Sequence, residues 1–238
     1  MSNIESGQLI QNYLEGLANQ FKFQYYVADM RDIESRFPIG GPELLALLSE
    51  AELRHLETLK LHKNKIQWIS GRYAVKSALF KLKSADRRIM DLRSIDVLKG
   101  SDSAPYLLQY PGIHVSITHS APYCIGAVAE TRIGIDLEAV FDPPDSLIQY
   151  FFSENERENI RTQGDSKARS IQAMSYWTRK EAVSKLLGLG MKLDFKGLDT
   201  AGGIITGAGI ADGWEIRVAS WNCDEFCLSV AVDWVGED

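Results

Sequence analysis

The chain has 238 residues and a mass of 26.6 kDa, enough to bury a substantial core as one large domain or two ordinary ones. Its composition, 45% hydrophobic and 24% charged, is that of a globular protein, and no apolar run approaches the roughly 18 residues of a membrane span. A net charge of -6 argues against nucleic-acid binding by bulk electrostatics, although Arg54 to Lys99 holds twelve Lys or Arg against four Asp or Glu. That run reads either as solvated helix faces or as a basic surface for an anionic ligand or acidic partner.

Residues 8–19 carry Leu9, Ile10, Tyr13, Leu14 and Leu17 at helical spacing, and Phe21 to Met30 alternates like a strand. Gly40-Gly41-Pro42 breaks the chain before a Leu-rich helix over Glu43 to Lys60, and a second helix is expected over Lys65 to Lys83. Strands are expected near 93–99, 105–108, 113–119, 122–130 and 132–138. After the turn at Phe141 to Asp145 come helices at 145–151, from Ser153, and from Lys167 to Leu187, the last ended by Gly188 and Gly190. The tail from Ile204 to Val235 reads as strands, with Trp214–Val218 and Phe226–Val232 as a hairpin.

This order fits an α+β protein of two similar halves better than alternating βα units, although no obvious sequence repeat accompanies it. The expected divisions are an N-terminal helical extension at 1–20, a first half at 21–134 and a second at 135–238. The odd cysteine count, with Cys124, Cys223 and Cys227 in apolar surroundings, favours buried thiols over a disulfide framework or a zinc site. The N-terminus shows no signal-peptide pattern, so the cytoplasm is the expected compartment.

Three segments carry candidate chemistry. On the strand Ile133 to Glu138, alternation puts Asp136 and Glu138 on one face and Ile133, Ile135 and Leu137 on the other. Such a pair suits Mg²⁺ through hard oxygen ligands, or is an acidic edge facing water. On the long helix, Trp177, Lys180, Glu181, Ser184 and Lys185 are spaced by three or four, giving a functional face or an exposed Glu181–Lys185 ion pair. His119, between Thr118 and Ser120 at a strand end, is a phosphate contact or a structural imidazole. Ser153 and Glu156 have the spacing of a capping box.

Thr118-His119-Ser120, Gly134-Ile135-Asp136-Leu137-Glu138 and the run from Trp177 to Lys185 together resemble the surfactin-synthetase-type 4′-phosphopantetheinyl transferases. The resemblance extends to Phe151-Phe152-Ser153 and to Gly71-Arg72, and is strongest from 113 to 190. It implies two pseudo-symmetric halves, each a small antiparallel sheet packed with helices, with the active site at their interface. It also implies a cytoplasmic, monomeric enzyme that moves the phosphopantetheine arm of coenzyme A to a serine of an apo acyl or peptidyl carrier protein, releasing 3′,5′-ADP. Asp136, Glu138 and Glu181 would hold Mg²⁺, Glu181 would help deprotonate the serine, and Lys180 would stabilise the transferred phosphoryl group. His119, Thr118, Lys180 and Lys185 would contact coenzyme A.

The family's Gly-Lys-Pro run is replaced here by Ser103-Ala104-Pro105-Tyr106, so a nucleotide-contacting lysine is missing and Lys63 is the expected substitute. Glu52 and His55 also fall where basic residues are expected. Two rival readings are a non-catalytic coenzyme A or carrier-binding protein and another Mg²⁺-dependent nucleotide enzyme. The second lacks a Gly-x-x-x-x-Gly-Lys phosphate loop.

Overall fold

A computed structural model describes residues 3–83, 91–100, 103–206 and 215–234; the side chains of residues 3–5 lie outside that description. Trp214 and Val235 of the expected tail, and Arg87 and Arg88 of the basic run, also lie outside the described residues. The chain divides into two units, Met1–Thr131 and Arg132–Asp238. The expected 134/135 boundary would fall inside a strand.

The first unit runs α1 (Asn3–Phe21), β1 (Phe23–Asp29), α2 (Met30–Arg36), α3 (Glu43–Leu47), α4 (Glu50–Thr58), α5 (His62–Lys83), β2 (Val97–Lys99), β3 (Pro105–Leu107), β4 (His114–Ser120) and β5 (Tyr123–Ala129). Its antiparallel sheet has the order β1-β5-β4-β3-β2. The helix expected over 43–60 is two helices, because Ser49 takes an extended conformation and caps α4 with its hydroxyl. The helix expected at 8–19 is α1; it buries Ile10, Leu14 and Leu17, and Tyr25 Oη donates to the Gln11 carbonyl at 2.9 Å. Helix α1 therefore belongs to the first unit's packing.

The second unit runs β6 (Ile133–Ala139), α6 (Asp145–Phe151), α7 (Glu154–Arg161), α8 (Ser166–Leu187), β7 (Ile204–Ile205), β8 (Glu215–Asn222) and β9 (Phe226–Trp234). Its antiparallel sheet has the order β6-β9-β8-β7. Asp165 caps the start of α8, and Gly188, at φ 66°, closes its C-terminus in the left-handed conformation that glycine adopts freely.

The two units repeat one plan. Ser49, Glu52 and Lys76 recur 104 positions on as Ser153, Glu156 and Lys180 (49 to 153, 52 to 156, 76 to 180), and α5 and α8 are each 22 residues long. Lys81 Nζ donates to the Tyr25 carbonyl at 3.0 Å and Lys185 Nζ to the Ile135 carbonyl at 3.1 Å. Those contacts make Tyr26 the counterpart of Asp136, Ala28 of Glu138, and Ser77 of Glu181. The repeat is hidden in the sequence because the shared residues are few and far apart.

Each long helix lies close against its sheet where a glycine admits it. A Cβ on Gly126 of β5 would stand 2.5 Å from the Val75 nitrogen, and one on Gly134 of β6 would stand 1.8 Å from the Ala182 carbonyl oxygen. Gly134→Ala should therefore force α8 off β6 and cost about 3 kcal/mol, as backbone atoms cannot step aside as a side chain can. Urea unfolding of this variant against the wild type checks it; a midpoint shift under one tenth of the wild-type value would contradict the close packing.

Candidate active site

The second unit gathers carboxylates where α8 crosses β6. Asp136 is buried, and its Oδ1 accepts a 2.7 Å hydrogen bond from Lys185 Nζ. Burial pushes the Glu138 carboxyl up to about 7, with the charges of Asp136 and Glu181 adding to the rise and Lys185 opposing it. Glu181 is raised too, first by burial, then by Asp136, with Lys185 again opposing. Three carboxylates thus share one region, with the Lys185 ammonium opposing their charge. Lys185 is anchored at the same time to the Ile135 carbonyl, so it holds β6 as well as Asp136.

The donor chemistry suits a hard divalent cation: the oxygens are carboxylate, and their mutual repulsion is what such an ion would relieve. Convergence is a separate matter. Among the described residues, no group of three or more His, Cys, Asp or Glu is arranged to hold a metal ion. Asp136, Glu138 and Glu181 fit Mg²⁺ in type and charge, while Lys185 occupies one Asp136 oxygen.

Lys180 corrects the expectation of a phosphate-contacting cation. Its ammonium is fully buried, 2.7 Å from Glu156 Oε2, and donates to the carbonyls of Phe195 and Leu198. Burial lowers its pKa, with the charge of Glu156 working against that. Glu156 keeps its capping-box role, accepting from Ser153 N at 2.9 Å, and also accepts from Thr200 N at 2.8 Å and Thr200 Oγ1 at 2.7 Å. Lys76 is its counterpart: buried, 2.5 Å from Glu52 Oε2, and donating to the carbonyls of Leu47 and Leu92. The first unit has this pair without the acidic cluster, so the pair is a feature of the fold.

The first unit carries a cavity of about 820 Å³, lined in part by His55, Trp68, Arg72, Lys99, Tyr106 and His119. His119 is exposed there near the end of β4. Thr118 is buried and outside that lining, because successive strand residues point to opposite faces. Lys63 is exposed in the first turn of α5, also outside the lining.

Arg72, which sequence reasoning singled out only as part of Gly-Arg, is the better-placed cation. Its guanidinium lies 4.1 Å from the Trp68 ring centroid, and His55 stacks on the same indole at 5.2 Å. Burial pulls its pKa down to about 10, opposed by the charges of Glu52 and Cys124. Its Nη2 donates to the Val97 carbonyl at 3.2 Å, and its buried Nε has no hydrogen-bond partner among the described residues. The Glu52 oxygens are already engaged by Lys76, Ser49 N and Val97 N. The cavity therefore presents cationic groups and aromatic surface. The basic run is divided accordingly: Lys76 is internal, and Arg72 faces the cavity.

The profile of the 4′-phosphopantetheinyl transferase superfamily matches residues 132–231, which lie within the second unit. A 4′-phosphopantetheinyl transferase of Bacillus pumilus (psf-1) is 30% identical over 87 residues, 37% of each chain. One from Aneurinibacillus migulanus (gsp) is 34% identical over 82 residues, 33% of each chain. The match thus spans about a third of these curated relatives. A holo-(acyl-carrier-protein) synthase from Bacillus anthracis, solved in complex with CoA, is 22% identical at a TM-score of 0.38, covering 44% of this chain and 91% of that one. Over residues 132–231 the resemblance read from the sequence is borne out.

Glu138 yields a pH prediction. Its folded-state pKa, about 7, lies above the unfolded value near 4.3, so the stability it contributes is full below the unfolded value and is lost as pH rises through 7. In EDTA the wild type should therefore lose stability from about pH 4.3 to 7, while Glu138→Gln flattens that slope. Urea midpoints at pH 5 and pH 8 decide it: equal slopes for both proteins would remove Glu138 from the crowded cluster.

Proposed function

We propose that the chain is a phosphopantetheinyl transferase, moving the phosphopantetheine arm of coenzyme A to a serine of an apo acyl or peptidyl carrier protein. The observation that carries this reading is the electrostatic crowding of Asp136, Glu138 and Glu181 within the segment that matches the superfamily profile. In this proposal the enzyme is Mg²⁺-dependent, monomeric and cytoplasmic. Asp136, Glu138 and Glu181 would hold the cation, which when bound supplies positive charge to the pyrophosphate oxygens.

The residues of the chain divide the remaining work. Glu181, its carboxyl raised by burial and by Asp136, takes the proton of the serine hydroxyl. The serine oxygen then forms a bond to the β-phosphorus, the bond from that phosphorus to the bridging oxygen breaks, and 3′,5′-ADP leaves with the bonding electrons. Lys185 offsets the charge on Asp136 and keeps that carboxylate oriented. His119 and Arg72 line the first-unit cavity and give it groups that suit an anionic ligand.

For the carrier, the second unit offers a groove of about 870 Å³ whose lining includes Tyr150, Met191, Arg157 and Lys196. Tyr150 is 72% exposed and Met191 65%, an apolar surface beside Arg157 and Lys196, which outnumber Asp194 in the lining and leave it a net positive charge for an acidic partner.

Incubation with coenzyme A, Mg²⁺ and a panel of apo carriers, read by intact mass, tests the proposal. The wild type should add one phosphopantetheine per carrier, and Asp136→Asn should lower the rate by a factor of about 100 or more with its thermal midpoint retained. Coenzyme A binding with no mass gain on any carrier would instead favour the non-catalytic reading.

A further inference from the structure

We infer that Lys180 is a positioning residue: its buried pair with Glu156 fixes the rotation of α8 that turns Glu181 and Lys185 toward Asp136. The inference rests on reading the acidic cluster as the reaction centre.

The internal repeat provides the control. Positions alike in both units serve what both share, the fold; positions that differ serve what only one does. Ser, Glu and Lys of the buried pair are the same in both, and Lys81 and Lys185 both donate to a carbonyl of the first strand of their sheet. The cluster positions differ completely: Tyr26, Ala28 and Ser77 stand where the second unit has Asp136, Glu138 and Glu181.

Helical geometry then explains how a scaffold residue controls a reactive one. Lys180 and Glu181 are neighbours, about 100° apart around the axis. Trp177, Lys180 and Ser184 share a face toward the segment after the helix: Trp177 stacks on Phe195 at 5.9 Å, and Ser184 Oγ donates to the Gly190 carbonyl at 2.7 Å. Glu181 and Lys185 lie on the adjacent face, where Lys185 reaches Asp136. Glu156 joins the α7 N-terminus, Thr200 and Lys180, so α8 cannot roll without breaking that buried set. A roll of a few tens of degrees would carry Glu181 away from Asp136.

The test uses the full chain and three variants: Lys180→Met, Glu156→Gln/Lys180→Met, and Lys76→Met in the first unit. Each is measured for kcat and KM with coenzyme A and an apo carrier, for Mn²⁺ affinity by electron paramagnetic resonance, and for thermal midpoint. Lys180→Met, leaving a buried unpaired carboxylate, should lower kcat per folded molecule about tenfold or more with KM unchanged, and weaken Mn²⁺ binding in parallel. The double variant, lacking both charges, should return kcat and Mn²⁺ affinity to within about threefold of wild type. Lys76→Met should lower the midpoint and leave Mn²⁺ affinity unchanged.

A double variant as slow as Lys180→Met but with wild-type Mn²⁺ affinity would make the ammonium a participant in the chemistry and overturn the inference. Unchanged kcat and Mn²⁺ affinity in Lys180→Met would overturn it from the other side, leaving a purely structural pair. If the wild type transfers nothing while Mn²⁺ affinity follows the pattern above, the transferase reading fails and the positioning role stands. A wild type that neither transfers nor binds Mn²⁺ overturns both.

Discussion

A lysine carried beyond the reach of water stays charged only if other groups replace the hydration it gives up, and this chain meets that requirement twice. Lys76 and Lys180 each receive one carboxylate and two backbone carbonyls. Ion pairs of this kind contribute little net stability against apolar groups of the same size, yet leaving one partner alone is costly. Their consequence is geometric. Each carboxylate also caps the preceding helix and accepts from a later backbone N–H, Val97 in one unit and Thr200 in the other. One buried pair thereby ties a short helix, a long helix and the segment beyond it.

With α8 held in this way, the second unit adds an acidic cluster that the first unit lacks at the corresponding positions. Gly134 lets β6 pass under the Ala182 carbonyl, bringing Asp136 to the helix face that carries Glu181 and Lys185. In the first unit the equivalent region is aromatic: Lys81 lies 5.1 and 5.3 Å from the ring centroids of Tyr25 and Tyr26, and no acid stands at the corresponding places. The same lysine position therefore meets π-faces in one unit and a carboxylate in the other. The negative charge gathered where α8 crosses β6 comes from Asp136, Glu138 and Glu181, three positions without an acidic counterpart in the first unit.

Much of this frame was legible in the sequence. Period-two alternation located β1, β4, β5 and β6 to within a few residues, and the capping box at Ser153 and Glu156 marked the start of α7. The break at Ser49 was not read, although Ser49 and Glu52 carry the same capping signature, because the apolar pattern runs across it. Arg72 was overlooked as a ligand contact because its value depends on Trp68 and on the prior engagement of Glu52, neither of which is a sequence pattern.

The grouping of Lys180 with Glu181 failed for a related reason. Spacings of three and four from Trp177 to Lys185 look like one stripe, but they span two faces: 177, 180 and 184 on one, 181 and 185 on the other. Periodicity alone cannot separate them, since both sets satisfy helical neighbour rules. What separates them is the second copy of the plan within the same chain. A cation needed to stabilise a transferred phosphate has no reason to recur, buried and paired, in a unit with Ser77 where its neighbour's acid should be. Lys76 recurs there with its own glutamate and its own two carbonyls, so the requirement it meets is that of the fold.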